Sequence, residues 1–165
     1  MKQCKHAVRL HPTGASVYHE GMKRTALLAA ALLVVVVFAA ELPPGTIQVD
    51  ASKLVWTNGP PALPGSKSAV LEGDPKTTGM FTMRLRMPAG TRVPPHWHPR
   101  PERVTILSGV VQVGFGDTWD DRALHSFHAG DFYVNPPNSH HFVKFAEESV
   151  IQITGDGPWE LHPLE

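Results

Sequence analysis

Alternation of apolar and polar residues with a period of two is the dominant pattern in the second half of the chain. In Phe81-Thr-Met-Arg-Leu-Arg-Met87, the clearest stretch, Phe81, Met83, Leu85 and Met87 fall on one side and Thr82, Arg84 and Arg86 on the other. This is the signature of a strand with one buried face. Further runs predict strands over 103–107, 110–115, 124–127, 131–134, 141–145, 150–154 and 159–162, separated by turn residues such as Ser108-Gly109 and Asn135-Pro136-Pro137-Asn138. No apolar stripe of helical period and useful length follows residue 66. Eight or more short strands with frequent turn signals read as an all-β sandwich or barrel.

Residues 40–66 are rich in proline and glycine (Pro43, Pro44, Gly59, Pro60, Pro61, Pro64, Gly65) and read as an extended arm with at most a short edge strand. Upstream, Met22-Lys-Arg-Thr25 precedes an unbroken apolar run from Ala26 to Ala40. A basic start, an apolar middle and small residues at the end make a secretory signal peptide. Val37-Phe38-Ala39 fits the small-x-small rule and sets cleavage after Ala39. The run is short of the ~20 residues needed to span a bilayer, so a membrane anchor fits less well. Residues 1–21 carry Cys4 and three histidines without apolar periodicity, and read as an extension upstream of a true start at Met22. The expected organisation is therefore 1–21 extension, 22–39 signal peptide, 40–66 arm and 67–165 barrel, with the mature protein secreted or periplasmic.

Cleavage changes the charge balance. The whole chain has 15 basic and 15 acidic side chains, but the residues after 39 keep 10 basic against 14 acidic. A mildly acidic domain without basic clusters is a poor nucleic-acid binder, and no nucleic-acid partner is expected. Cys4 is the only cysteine, so the mature part must be held by packing rather than disulfides. Roughly 125 residues suffice for one domain with a real core.

Candidate chemistry concentrates in Pro94-Pro95-His96-Trp97-His98-Pro99-Arg100-Pro101-Glu102. His96 and His98 are two apart, so on a strand both imidazoles share a face and Trp97 points away. The prolines remove backbone donors and favour an extended chain. Glu102 opens the next strand and can bring a carboxylate to the imidazoles. Two neutral imidazoles and a carboxylate suit one divalent transition metal (Fe, Mn, Ni, Co or Zn), and the absence of thiolates argues against a closed structural zinc site. A further ligand should come from His140-His141 after the 135–138 turn, where alternation lets only one of the pair face inward.

These residues amount to a resemblance. Gly90, His96, His98, Glu102 and Gly109 match the first cupin motif, glycine-x5-His-x-His-x3-Glu-x6-glycine, at every position. Gly130, Pro136 and His141 match the second, glycine-x5-Pro-x-Gly-x2-His, with Asn138 at the motif glycine and Phe145 where asparagine is frequent. Asparagine is the next-best residue at a left-handed turn position. The chain thus resembles the cupin superfamily, and within it small secreted single-domain bacterial cupins. The resemblance implies a double-stranded β-helix (jelly-roll) barrel with the metal held by His96, His98, Glu102 and His141. It also selects His141 over His140.

Open positions on such an ion are what an enzyme needs to bind a substrate or dioxygen. The leading expectation is a metal-dependent, dioxygenase-like oxidoreductase acting on a small organic molecule, with Glu102 also moving protons. The alternative is a non-catalytic metal or small-ligand binding or sensing module. A sugar isomerase would want more polar lining than Phe81, Met83, Leu85, Val104 and Ile106 offer. Gln152, between Ile151 and Ile153, is a candidate for projecting inward beside the metal, and Arg84 or Arg86 for pairing with an anionic substrate. His125, His128 and His162 read as surface residues and Trp97 as outer packing. Cupin barrels pair through edge strands, so a homodimer is expected, without stable membrane insertion after cleavage.

Overall fold

The computed structural model describes residues 41–164; the extension and signal peptide proposed for 1–39 lie outside them. The described residues from Leu42 onward make one compact unit. It contains strands β1 (Thr57–Asn58), β2 (Lys67–Glu72), β3 (Gly79–Met87), β4 (Arg92–Trp97), β5 (Glu102–Ser108), β6 (Val110–Phe115), β7 (His125–His128), β8 (Phe132–Asn135), β9 (His141–Phe145), β10 (Ser149–Gly157) and β11 (His162–Pro163). They form a six-stranded sheet, β1-β2-β3-β10-β5-β8, and a five-stranded sheet, β11-β4-β9-β6-β7. Two antiparallel sheets facing each other across one core make the expected jelly-roll barrel.

The alternation of β3 places Phe81, Met83, Leu85 and Met87 inside, where they meet Val104 and Ile106 of β5, Val111 and Val113 of β6, Val143 and Phe145 of β9, and Ile151 and Ile153 of β10. Leu63, from the Pro/Gly-rich stretch, is buried in the same core. β1, in that stretch, adds a two-residue edge to the larger sheet. On the outer face of β9, Phe142 is fully buried because the loop after β6 folds back over it. The Trp119 ring sits 5.0 Å from it, and Gly114, paired with it across the sheet, leaves room that even a methyl group would fill.

Two features position the site. The first is a β-bulge in β4. Arg92 and Val93 pair with Lys144 and Val143, whereas His96 pairs with His141, so β4 spends one residue more than β9 over the same span. Pro94 and Pro95 occupy that span. Proline has no N–H for the ladder and is tolerated at bulges. The extra residue shifts the phase of alternation: Val93 faces the core, yet so do His96 and His98, each 3% exposed. An unbulged strand keeping Val93 inside would point both imidazoles out.

The second is the turn before β9. Asn138 takes a left-handed φ of 58°, the backbone state expected where the motif carries glycine. Its N–H donates to the His98 carbonyl, 2.8 Å away, so the two motif segments are tied to each other. The predicted strand at 159–162 is displaced: residues 159–161 form an irregular strap, and pairing begins at His162, against Trp97.

Deletion of Pro94 should remove the extra residue and leave a regular strand in which Val93, His96 and His98 share the inward face. In a deletion variant that keeps its β-sheet circular dichroism, both imidazoles should stay protected from diethyl pyrocarbonate by peptide mass spectrometry, as in the parent. Reactivity of both would contradict a bulge of one residue as the origin of their direction.

Candidate metal centre

The site is built from two cross-strand pairs, one in each sheet. His96 of β4 faces His141 of β9, and Glu102 of β5 faces Asn135 of β8. His98, just beyond β4, completes the group. One ring nitrogen each from His96, His98 and His141 lies within 4.8 Å of the others, and the three residues could hold a metal ion. The Glu102 carboxylate is beside them, with Oε2 3.4 Å from His98 Nε2.

Each imidazole is oriented by the chain itself. Nδ1 of His96 lies 2.8 Å from the Pro94 carbonyl, Nδ1 of His98 2.6 Å from the Glu160 carbonyl, and Nδ1 of His141 3.0 Å from the Ser139 carbonyl. A carbonyl oxygen can only accept, so each Nδ1 carries a proton, and in the neutral ring each Nε2 keeps its lone pair. Such backbone acceptors are the usual outer partners of metal-binding histidines. His98 Nε2 is buried with no hydrogen-bond partner, which is costly in an apolar interior and fits a cation acceptor. The donor set, three unprotonated imidazole nitrogens and a carboxylate, is chemically suited to a divalent transition metal.

Burial keeps the His96 and His141 rings neutral. It pushes His96 from 6.5 down to about 3, aided by the neighbouring His141 ring and opposed by the Pro94 carbonyl. Burial also lowers His141. The Tyr133 phenol, lining the same cavity, is pushed well above 10.0, first by burial and then by the Glu102 charge, so it stays protonated.

Two residues here carried no signal of function in the sequence. Asn135 is 1% exposed; its Nδ2 donates to Glu102 Oε2 and to His141 Nε2, both at 2.9 Å. Trp159 Nε1 donates to Glu102 Oε1 at 3.0 Å, and its indole stacks on the His98 ring. Both carboxylate oxygens of Glu102 are thus oriented by neutral N–H donors. An asparagine before a Pro-Pro turn reads as turn chemistry, and only the pairing of β5 with β8 reveals it otherwise.

The remaining candidates lie elsewhere. His140 points outward and bonds Asp117 at 2.7 Å. Gln152 faces away from the core and accepts from Arg84 Nε at 3.1 Å, because Ile151 and Ile153 take the inward positions of β10; it does not join the site. Arg86 covers the Trp56 ring. His125 and His128 are exposed, and His162 stacks on Trp97 on the outside.

The walls around the cluster are apolar: Leu85, Met87, Val93, Ile151 and Ile153 leave a narrow cavity of about 30 Å³. That is room for an ion and a water or two.

Two facing antiparallel sheets with inward histidines from both motifs define a cupin barrel with a potential metal site. The sequence profile of the ChrR Cupin-like domain matches residues 44–160, and the chain belongs to that family. Germin-like protein subfamily 1 member 1 of Arabidopsis thaliana is 40% identical over 82 residues, 48% of this chain and 38% of that protein. Germin-like protein 5-1 of Oryza sativa subsp. japonica is 38% identical over 69 residues, 41% of this chain and 31% of that one. The matches thus span under two-fifths of these relatives' length. Among solved structures, the polyketide cyclase RemF of Streptomyces resistomycificus aligns with a TM-score of 0.59 at 11% identity, covering 73% of this chain and 86% of that one. A candidate acetylacetone dioxygenase of Methylibium petroleiphilum aligns with a TM-score of 0.56 at 17% identity, covering 78% and 86%. At such identities the likeness is one of fold.

The depressed histidines set a pH dependence for the metal-free protein. The unfolded chain takes up protons below about 6.5, which the folded His96 refuses until about 3, so stability is full above 6.5 and falls as pH drops through that window. Thermal melts should show a lower Tm at pH 5 than at pH 7.5, with a smaller difference in His96→Gln; identical pH dependence in the two would refute it. Replacing Asn135 by Ala, which removes the N–H that orients Glu102 Oε2, should weaken divalent-metal affinity by about 10–100-fold, measured by competition with a chromophoric chelator.

Proposed function

We propose that the protein is a metal-dependent oxidoreductase, dioxygenase-like in chemistry, acting on a small organic molecule. The observation that carries this reading is the trio of His96, His98 and His141, each offering a ring nitrogen within 4.8 Å of the others, beside a buried carboxylate, inside an apolar barrel. His96, His98, His141 and Glu102 would hold the ion. A bound transition metal supplies Lewis acidity and, with iron or manganese, one-electron chemistry towards dioxygen. The protein's own part is to keep His96 and His141 neutral, to align all three imidazoles, to exclude water with aliphatic walls, and to place Glu102 where its carboxylate can take or return a substrate proton. The lining holds too few polar groups to read a sugar. The cupin neighbours support the direction: a candidate acetylacetone dioxygenase shares the fold.

A second reading, a non-catalytic metal or small-ligand binding module, is favoured by one observation: the cavity of about 30 Å³ is too small for an organic substrate as it stands. Metal analysis of natively exported protein, with dioxygen uptake measured over a panel of β-diketones and phenols, separates the two. Enzyme function predicts about one iron or manganese per chain and uptake that His141→Ala abolishes. Tightly held zinc without turnover supports the binding module, and absence of any divalent ion refutes the enzyme and the metal-binding form of the module.

Export and self-association belong to the same proposal. The apolar run 26–40 supports a mature N-terminus at Ala40, giving a secreted or periplasmic protein. Among the described residues no helix is long and apolar enough to cross a membrane. Phe132 and Val134, on edge strand β8, are 56% and 40% exposed, an apolar edge that supports a homodimer. Light scattering should give twice the chain mass for the exported protein and the chain mass for Phe132→Lys/Val134→Lys; a monomeric parent would refute the dimer.

A further inference from the structure

Beyond the narrow inner cavity lies a second and larger one. It is a groove of about 500 Å³, lined by Pro60 and Pro61 of the Pro/Gly-rich stretch, Val70 of β2, Met83 of β3, and Trp159 and Leu161 of the strap. Trp159 and Leu161 also line the inner cavity, so those two side chains are the wall between groove and metal centre. Val70 explains why the groove exists. It pairs with Met83 and shares that residue's core-facing side, yet is 51% exposed, because β2 runs past the point where the barrel closes.

We propose that this groove binds the apolar body of a neutral organic molecule, whose oxygen-bearing end reaches His96, His98 and Glu102 when the Trp159 side chain turns aside. The inference rests on the metal reading above. The inner cavity is too small for such a molecule, whereas the groove lies within the ~300–1,000 Å³ of small-ligand sites. Its rim carries one acid and one base, Asp74 and Lys76, with Thr57 and Asn58, so it favours no net charge; the floor and sides are aliphatic, proline and indole.

Trp159 is suited to move. Its backbone belongs to the irregular strap, not to a strand, anchored by its N–H to the Pro75 carbonyl at 2.7 Å. Its indole N–H makes one bond, to Glu102. Turning the ring out breaks that one hydrogen bond and the stacking on the His98 ring, and joins groove to metal centre. Glu102 Oε1, freed by that step, becomes available to the arriving oxygen group or its proton.

The test uses the full chain loaded with Co(II), whose visible absorption reports ligands at the metal, and two probes: azide, small enough for the inner cavity, and benzoylacetone, neutral and largely apolar. Both should perturb the wild-type spectrum. Val70→Trp, which fills the groove, should raise the benzoylacetone Kd at least tenfold and leave the azide Kd within twofold. Ala62→Trp, on the opposite lip, should do the same and covers the case in which Val70→Trp does not fold. Trp159→Ala should speed azide binding at least tenfold. Benzoylacetone affinity unchanged in both groove-filling variants, or azide binding without benzoylacetone binding in the wild type, overturns the groove while leaving the metal centre standing. No Co(II) uptake by the wild type overturns both.

Discussion

At Pro94-Pro95 strand β4 spends one residue more than β9 beside it, and the inward direction of His96 and His98, on which the metal centre depends, follows from that mismatch. A strand sends alternate residues to opposite faces, so Val93, His96 and His98 cannot all face inward without a break in phase. Two prolines in succession supply the break at little cost, since neither has an N–H to lose from the ladder. Downstream of the bulge His96 lies opposite His141, and the chain then turns to begin β5 with Glu102 opposite Asn135. Facing sheets bring the two pairs together.

Convergence alone would leave a poorly satisfied interior. Four polar side chains, His96, His98, His141 and Glu102, meet among valines, leucines, isoleucines and methionines, where an unpaired polar atom costs about 1–3 kcal/mol. The chain offsets most of this with backbone carbonyls on the three Nδ1 atoms and with N–H groups from Asn135 and Trp159 on Glu102. Within the site, His98 Nε2 and Asn135 Oδ1 are left without a partner. An unpartnered ring nitrogen among imidazoles whose Nδ1 atoms are all bonded is what a site arranged for a cation would show.

Much of this was legible in the sequence. Alternation located β3 within two residues, because one of its faces is wholly apolar. The two motifs placed the histidines, and Asn138 stands in for the motif glycine with the left-handed backbone expected of it. The failures have physical causes. Gln152 has isoleucine on both sides, and alternation gives phase only relative to a partner strand; Met83 and Leu85 opposite Ile153 and Ile151 fix it outward. Phe142 lies on the outer face and is nonetheless buried, because a loop folds over it. Asn135 and Trp159 belong to the centre through pairing and strap geometry between residues 33 and 57 positions apart from Glu102, which no local pattern encodes.

The claim on which everything else stands is that one ion sits where the three Nε2 atoms converge. The most direct measurement is an anomalous difference map from crystals of natively exported protein, collected on both sides of the absorption edge of the metal found in them. The account predicts a single strong peak bonded to Nε2 of His96, His98 and His141, with a Glu102 oxygen among its ligands. A map without density at that point, or a metal bound only through surface histidines such as His125 and His128, would contradict it.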